Sequence, residues 1–433
     1  MLAAGLLLSL PYWLYQIFRH GKYRTGFFER MGRVPARLLR RGPPSSKSIW
    51  VHAVSVGEVL AVSPLIEQLQ AIFPHRRVVV STTTDTGQIL ARNRFGEENV
   101  FYFPIDFTFA IRPYLQALRP ELIVLAETEF WPNFLRLAYA HGARVAVVNA
   151  RISDRSWPRY RRLRRALRRM LAHIDLFLAQ TQQDHDRLLS VGTAEERVHI
   201  VGNLKFDISP PAPAILERLR ASLAADDAGP VLVCGSTVED EEPPLLKAFE
   251  NVLVEHRCAV MILAPRHPER FREIAHLLKQ MGLSFFLRSE WSGEPLAGSV
   301  LLLESMGELA SLYALADVAF VGGSLVPRGG HNIIEPAQHG VAIIVGNYTE
   351  NFRDIVSLFY SRDALRVATL AEFPLTLMQL LANDDERRAL GRRAQEAMRL
   401  QMGATSRTLD ALKLLLAHNP ASQPVSAKAD HNN

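Results

Sequence analysis

The chain has 433 residues, 48% apolar and 22% charged, which allows two domains with full cores rather than one. Two cysteines, Cys234 and Cys258, exclude a disulfide framework and a zinc site; both fall in apolar strand-like runs and read as reduced core residues of a cytosolic compartment. The net charge of +6 comes mostly from clustered arginines, so a localised anionic surface is the implied partner.

The first eighteen residues, MLAAGLLLSLPYWLYQIF, carry no charged side chain. A basic run follows at once, with Arg19, Lys22, Arg24, Arg30, Arg33, Arg37, Arg40 and Arg41 against Glu29 alone. A bilayer span takes about 20 apolar residues, so residues 1–20 are expected to form a membrane anchor, tilted or partly inserted, and residues 21–47 a basic linker kept on the cytoplasmic side. A signal peptide would carry its charge before the apolar core and a small-residue cleavage site after it, and both features are missing. A buried core helix is the remaining alternative for a run of this length.

After Gly42-Pro43-Pro44-Ser45-Ser46, short β-rich runs alternate with helical stretches. Strands are expected at residues 49–54, 78–82, 100–104, 122–126, 145–149, 176–179 and 198–201. A proline-rich boundary at 209–213 precedes a second set at 231–234, 260–263, 284–287, 300–303, 318–321 and 343–345. Near-continuous apolar strands alternating with helices mean parallel sheets covered on both faces. The predicted class is therefore α/β, with two doubly wound Rossmann-like domains, 48–208 and 209–418, facing a cleft at their strand carboxyl ends, where ligands of such sheets bind. Residues 370–416 read as helices and 419–433 as a polar disordered tail.

The most informative stretch is GGSLVPRGGHNIIEPAQHGVAIIVGNYTENFRD, from Gly322 to Asp354. The pairs Gly322-Gly323 and Gly329-Gly330 let backbone amides approach a ligand, and a helix beginning near His331 would aim unpaired N–H groups at the same place, favouring phosphate. Asn332 and Glu335, three apart, share a face of that helix. A carboxylate beside a phosphate-favouring helix start suits neutral hydroxyls such as those of a ribose, so the combination suggests a nucleotide. Gly-rich loops are also ordinary strand-to-helix connections, and only the rest of the chain separates the two readings.

Other strand ends carry candidate chemistry. In His52-Ala53-Val54-Ser55-Val56-Gly57-Glu58 a strand and a small-residue turn lead to Glu58 at a helix start, where the dipole should hold the carboxylate ionised, ready to take a proton from an attacking alcohol. Glutamate is also a favoured first-turn residue. Glu127-Thr128-Glu129-Phe130-Trp131-Pro132 places two acids and a Trp at another strand end. Gly202-Asn203-Leu204-Lys205 ends the first domain with a lysine suited to neutralise a leaving phosphate, or simply a solvated loop lysine. In the second domain Arg266 closes a strand and is placed to fork onto a phosphate or stack on a base. Gly235-Ser236-Thr237 and Ser305-Met306-Gly307-Glu308 make turns of the same kind. No His/Cys cluster with metal-ligand spacing is found, so neither a metal nor another cofactor is expected. The Arg-rich piece 159–171 carries Tyr160, Leu163, Leu167, Met170 and Leu171 on one helical stripe, leaving the guanidinium groups to cover the rest, a surface for anionic head groups or phosphorylated lipid. A nucleic-acid arm is the competing reading, but no aromatic interleaving or nucleic-acid module accompanies it, so no nucleic-acid partner is expected.

Taken in order, HAVSVGE, ETEFWPN, NARISDRS, GNLKFD, APRHPERF, MGEL and GGSLVPRGGHNIIEPA resemble the 3-deoxy-D-manno-octulosonic acid (Kdo) transferases of lipopolysaccharide synthesis, glycosyltransferases of the two-domain GT-B fold. The resemblance runs from the N-terminal segment to about Leu416. It implies transfer of Kdo from CMP-Kdo to a lipid A precursor (lipid IVA) at the cytoplasmic face of the inner membrane. It also implies Glu58 as general base, with Glu127 and Lys205 stabilising the transition state. Contacts to CMP would come from Pro265 and Arg266, from Met306, Gly307 and Glu308, and from Asn332, Ile333, Ile334 and Glu335. A nucleotide-sugar epimerase of the same fold would need no anchor and no arginine surface; a non-enzymatic anionic-lipid binder would need neither Glu58 nor nucleotide loops.

Overall fold

The computed structural model describes residues 25–39, 47–154, 156–208 and 214–417. The expected anchor at 1–20 and the tail at 419–433 lie outside the described residues, among which no helix is long and apolar enough to cross a membrane. The chain divides into two compact units, one of residues up to 208 together with those from 402 on, the other of residues 209–401.

The first unit carries seven parallel strands, β1 (Ser48–His52), β2 (Arg77–Thr82), β3 (Val100–Tyr102), β4 (Pro120–Ala126), β5 (Arg144–Ala150), β6 (Leu176–Ala179) and β7 (Val198–Ile200), in the order β3-β2-β1-β4-β5-β6-β7. β4 (PELIVLA) is buried along its whole length, as a strand covered by helices on both faces must be. One face packs Trp50, Phe101, Tyr114, Phe134 and Phe177 into an aromatic core. The other packs Val51, Val124 and Val148 against the helix Val56–Ile72. The connection from β1 runs outward through β2 to β3, then returns to β4 on the other flank of β1, so the winding switches between β1 and β4.

The second unit repeats the plan with β8 (Val231–Thr237), β9 (Val260–Pro265), β10 (Phe285–Leu287), β11 (Val300–Leu302), β12 (Val318–Val321), β13 (Ala342–Val345) and β14 (Arg366–Val367), in the order β10-β11-β9-β8-β12-β13-β14. Its strands are also parallel, and its winding switches between β8 and β12.

Four expectations need correction. Residues 25–39 are no linker. They form two short helices, Phe27–Arg30 and Ala36–Leu39, built into the first unit. Arg30 is buried, its Nη2 donating to Thr83 O at 2.6 Å, and Tyr114 Oη donates to Glu29 O at 2.9 Å. The last helix, Ala404–Ala417, belongs to the first unit rather than the second. Its Ala404, Leu409 and Leu412 bury with Val59 and Leu204, and Asp207 accepts from Gly403 N at 2.7 Å and Thr405 N at 2.6 Å. The arginine-rich piece is two helices, Trp157–Arg162 and Arg164–Leu171, broken at Leu163, which is 52% exposed instead of packed. Tyr160, Leu167 and Met170 do pack inward, and Arg159, Arg161, Arg162, Arg164, Arg165, Arg168 and Arg169 are exposed. Cys234 is buried in β8, whereas Cys258 is exposed in a turn before β9.

Candidate active site

In the first unit β1 ends at His52, and Ser55 is the N-cap of the helix Val56–Ile72. Glu58, the third helical residue, folds back over the cap. Its Oε2 accepts from Val54 N at 2.9 Å and its Oε1 from Ser55 Oγ at 3.2 Å. Burial pushes this carboxyl up to about 7; the Val54 N–H pulls the other way, and the charges of Glu127 and Glu129 add to the rise. The expectation that the helix dipole would keep Glu58 fully ionised is therefore overturned by desolvation. A group poised near neutrality is better matched to taking and giving a proton.

Glu127 directly follows β4, the strand beside β1 at the winding switch. Its backbone sits at φ 56°, a left-handed conformation uncommon outside glycine, held by Glu127 N donating to Val148 O at 2.9 Å. Its Oε1 lies 3.3 Å from Lys205 Nζ. Lys205 rides on the single turn Leu204–Asp207, which is seated by Asn149 Oδ1 accepting from Leu204 N and Asn203 Oδ1 accepting from Lys205 N, both at 3.0 Å. Glu129 Oε2 accepts from Trp131 Nε1 at 2.9 Å, and burial raises its carboxyl above the usual range. Glu58, Glu127 and Lys205 are thus gathered at one end of one sheet. His52, at the end of β1, is buried, stacked on Phe103 at 4.0 Å, and held neutral by burial at about 3.

In the second unit Arg266 follows Pro265 at the end of β9, its N donating to Thr237 O at 2.8 Å and its side chain exposed. Its charge acts on both His331 and Glu335. The helix expected near His331 begins only at Ile334 and runs five residues, Ile334–Gln338, so Asn332 precedes it rather than lying on it. Asn332 Oδ1 accepts from Ile334 N and its Nδ2 donates to Glu335 Oε1, both at 3.2 Å. Burial lifts the Glu335 carboxyl, against the pull of Asn332 and then Arg266. His331 is pushed down to about 4 by burial, with Arg266 and His267 adding to it, and so is neutral at physiological pH. Ile333 and Ile334 are buried, so their side chains belong to the core. Met306 is 64% exposed, and Gly307 beside it, at φ 91°, has open space where a Cβ would stand. Glu308 has its carboxylate occupied, accepting from Arg288 Nη2 at 2.8 Å and from Ser305 Oγ.

The first glycine pair differs from expectation. The amides of Gly323, Ser324 and Leu325 are not open to a ligand; they donate to the carboxylate of Glu241, at 2.7, 2.9 and 2.9 Å. Sequence reasoning did not single out Glu241, which stands in the acidic run Glu239-Asp240-Glu241-Glu242 and looks like ordinary helix-start charge. It also missed Tyr313, whose buried Oη would lie 2.0 Å from a Cβ placed on Gly235, so that only glycine fits there.

Residues 25–208 match the sequence model of a family described as "3-Deoxy-D-manno-octulosonic-acid transferase (kdotransferase)". A 3-deoxy-D-manno-octulosonic acid transferase of Bordetella pertussis is 36% identical over 423 residues, covering 93% of this chain and 95% of its own. That of Haemophilus influenzae is 34% identical over 381 residues, covering 87% and 89%. Among solved structures, a putative UDP-N-acetylglucosamine 2-epimerase from Listeria monocytogenes matches 86% of this chain and 97% of its own with a TM-score of 0.58. At 15% identity that likeness is one of fold alone, two parallel-sheet α/β domains of the GT-B kind. Identity above a third along nearly the full length of both chains is a stronger bond than shared architecture, and by it the chain belongs to the 3-deoxy-D-manno-octulosonic acid transferase family.

Proposed function

We propose that the protein transfers Kdo from CMP-Kdo to a hydroxyl of the glucosamine disaccharide of a lipid A precursor, by direct displacement. The acceptor oxygen bonds to the anomeric carbon of Kdo as the bond from that carbon to the CMP phosphate breaks; the acceptor proton passes to Glu58, and CMP departs with the electron pair. The observation that carries this reading is Glu58 itself, held near neutrality at the winding switch of the first sheet in a chain of this family. Lys205, paired with Glu127, supplies positive charge for the phosphate that develops as the donor bond breaks. Arg266 and Asn332 hold the CMP phosphate, and Glu335 accepts from ribose hydroxyls. Pro265, Gly307, Ile333 and Ile334 shape the cytidine side through their backbone and Met306 through its exposed side chain, with Glu308 acting from its pair with Arg288.

The acceptor is a phosphorylated lipid, so the reaction belongs at the cytoplasmic face of the inner membrane. The uncharged residues 1–18 as anchor and the seven exposed arginines on Trp157–Arg162 and Arg164–Leu171 support that placement. The test is mass analysis of a phosphorylated tetra-acyl glucosamine disaccharide after incubation with CMP-Kdo and the protein. The expected product is heavier by one or more Kdo units and appears with stoichiometric CMP; intact acceptor beside intact donor would overturn the reading.

A further inference from the structure

Glu241 lies at the winding switch of the second sheet, between β8 and β12, where doubly wound folds place their ligands. Its side chain is fully buried, and its two oxygens accept four backbone N–H groups. Oε2 takes Val238 N at 3.0 Å and Gly323 N at 2.7 Å, while Oε1 takes Ser324 N and Leu325 N, each at 2.9 Å. Three successive amides converging on one anion make the kind of concavity that elsewhere cradles phosphate. Here a carboxylate of the protein already fills it.

Two further links run outward from that carboxylate. On one side Val238 follows Thr237, whose carbonyl accepts from Arg266 N at 2.8 Å. On the other, Gly323 O accepts from Gly330 N at 2.7 Å, which returns the loop to His331 and Asn332. The packing between the two sides is tight: a Cβ on Gly322 would stand 2.6 Å from both Ser236 O and Thr237 Cα, and 2.8 Å from Glu241 Oε2. The turn after β8, the end of β9 and the loop after β12 are thereby tied to one side chain.

We propose that Glu241 is a positioning residue for the donor site: its carboxylate occupies the anion nest of residues 323–325, sets Arg266 and Asn332 in place through Thr237 and Gly330, and leaves the donor phosphate to be bound outside that nest. The inference rests on the reading of this unit as the CMP site. The two carboxyl oxygens offer lone pairs to all four donors at once. Glu241→Gln keeps size but replaces one oxygen with an amide nitrogen that faces two N–H donors, so the loop must shift.

The experiment measures CMP binding by calorimetry, and the KM for donor and acceptor separately, in the wild-type full chain and in Glu241→Gln. The Kd for CMP and the donor KM should rise at least tenfold while the acceptor KM holds, a split that general loosening would not produce. Glu241→Asp, which retains the charge, should recover part of the affinity. A folded Glu241→Gln with wild-type CMP affinity and donor KM overturns the positioning role alone. A wild-type protein that binds no CMP removes the donor reading and this role with it. Should Glu241→Gln fail to fold, hydrogen exchange on the wild type decides. Amides 323–325 should be protected without ligand and unchanged by CMP, while 329–335 slow on binding. Amides 323–325 that exchange freely until CMP is added would overturn the proposal.

Discussion

Glu58 sets the pH behaviour expected of this protein. Its carboxyl is raised from the ordinary 4.5 to about 7, chiefly by burial, so the base is protonated in acid and turnover should climb with pH along a limb centred near neutrality. Glu58→Gln keeps the side chain's size and removes its basicity, and kcat should fall by about 10²–10⁴-fold. Retention of more than about a tenth of wild-type turnover would remove the general-base role and turn attention to Glu127. The same shift acts on stability. A carboxyl whose folded pKa is raised contributes stability that is fully present below the unfolded value of 4.5 and is lost as pH rises through about 7. The glutamine variant does not titrate, so its urea midpoint should gain on the wild type between about pH 5 and pH 8; a constant difference would mean that burial does not disfavour the ionised form. Lys205→Met tests the neighbouring pair. Without the cation 3.3 Å from Glu127, the Glu127 charge acts on Glu58 unopposed, and the acid limb of kcat should move to higher pH.

At the level of elements, the last helix shows what pattern alone can and cannot reveal. Leu412 is fully buried on the first unit, so Leu412→Ala should cost about 2–5 kcal/mol of that unit's stability, while CMP affinity, carried by the second unit in our reading, stays unchanged. Matched urea titrations and calorimetry check both halves of that statement. The helical character of 404–417 is legible from periodicity, but periodicity says only that a face is apolar, not which domain covers it. That assignment depends on Asp207 meeting Gly403 and Thr405, a contact made almost two hundred residues along the chain. Strands such as β4 and β5 were readable because burial on both faces leaves an unbroken apolar run. The two-residue β14, Arg366–Val367, has no such run and gave no signal. Candidate site residues divide the same way. Glu127 announces itself as a charge placed directly after a strand, and Glu58 and Lys205 as charges on the first turn beyond the loop that follows one. Glu241 is one acid in a run of four, and its inward turn is decided by a glycine loop whose Gly323 lies 82 residues on.

Across the whole molecule, the proposed labour is divided between units, and two experiments address that division. If the apolar N-terminal segment anchors the chain, deletion through Phe18 should release much of it from membranes without loss of CMP binding. Full retention in high salt would end the anchor proposal, and salt-sensitive partial retention would point to the exposed arginines. The second experiment separates binding from chemistry. Arg266 and Glu335 act electrostatically on one another in the second unit, and truncating a ligand-facing charge typically costs about 2–5 kcal/mol, so Arg266→Ala and Glu335→Ala should each weaken CMP binding at least tenfold. Glu58→Gln should leave that affinity near wild type, because the proton it accepts moves only in the transition state. Combining Arg266→Ala with Glu58→Gln should therefore give losses in kcat/KM that add on a logarithmic scale, the behaviour of groups that share no partner. Strong non-additivity would mean that the base and the donor contacts act as one unit, and unchanged CMP affinity in both alanine variants, with the fold intact, would take the nucleotide out of the second unit.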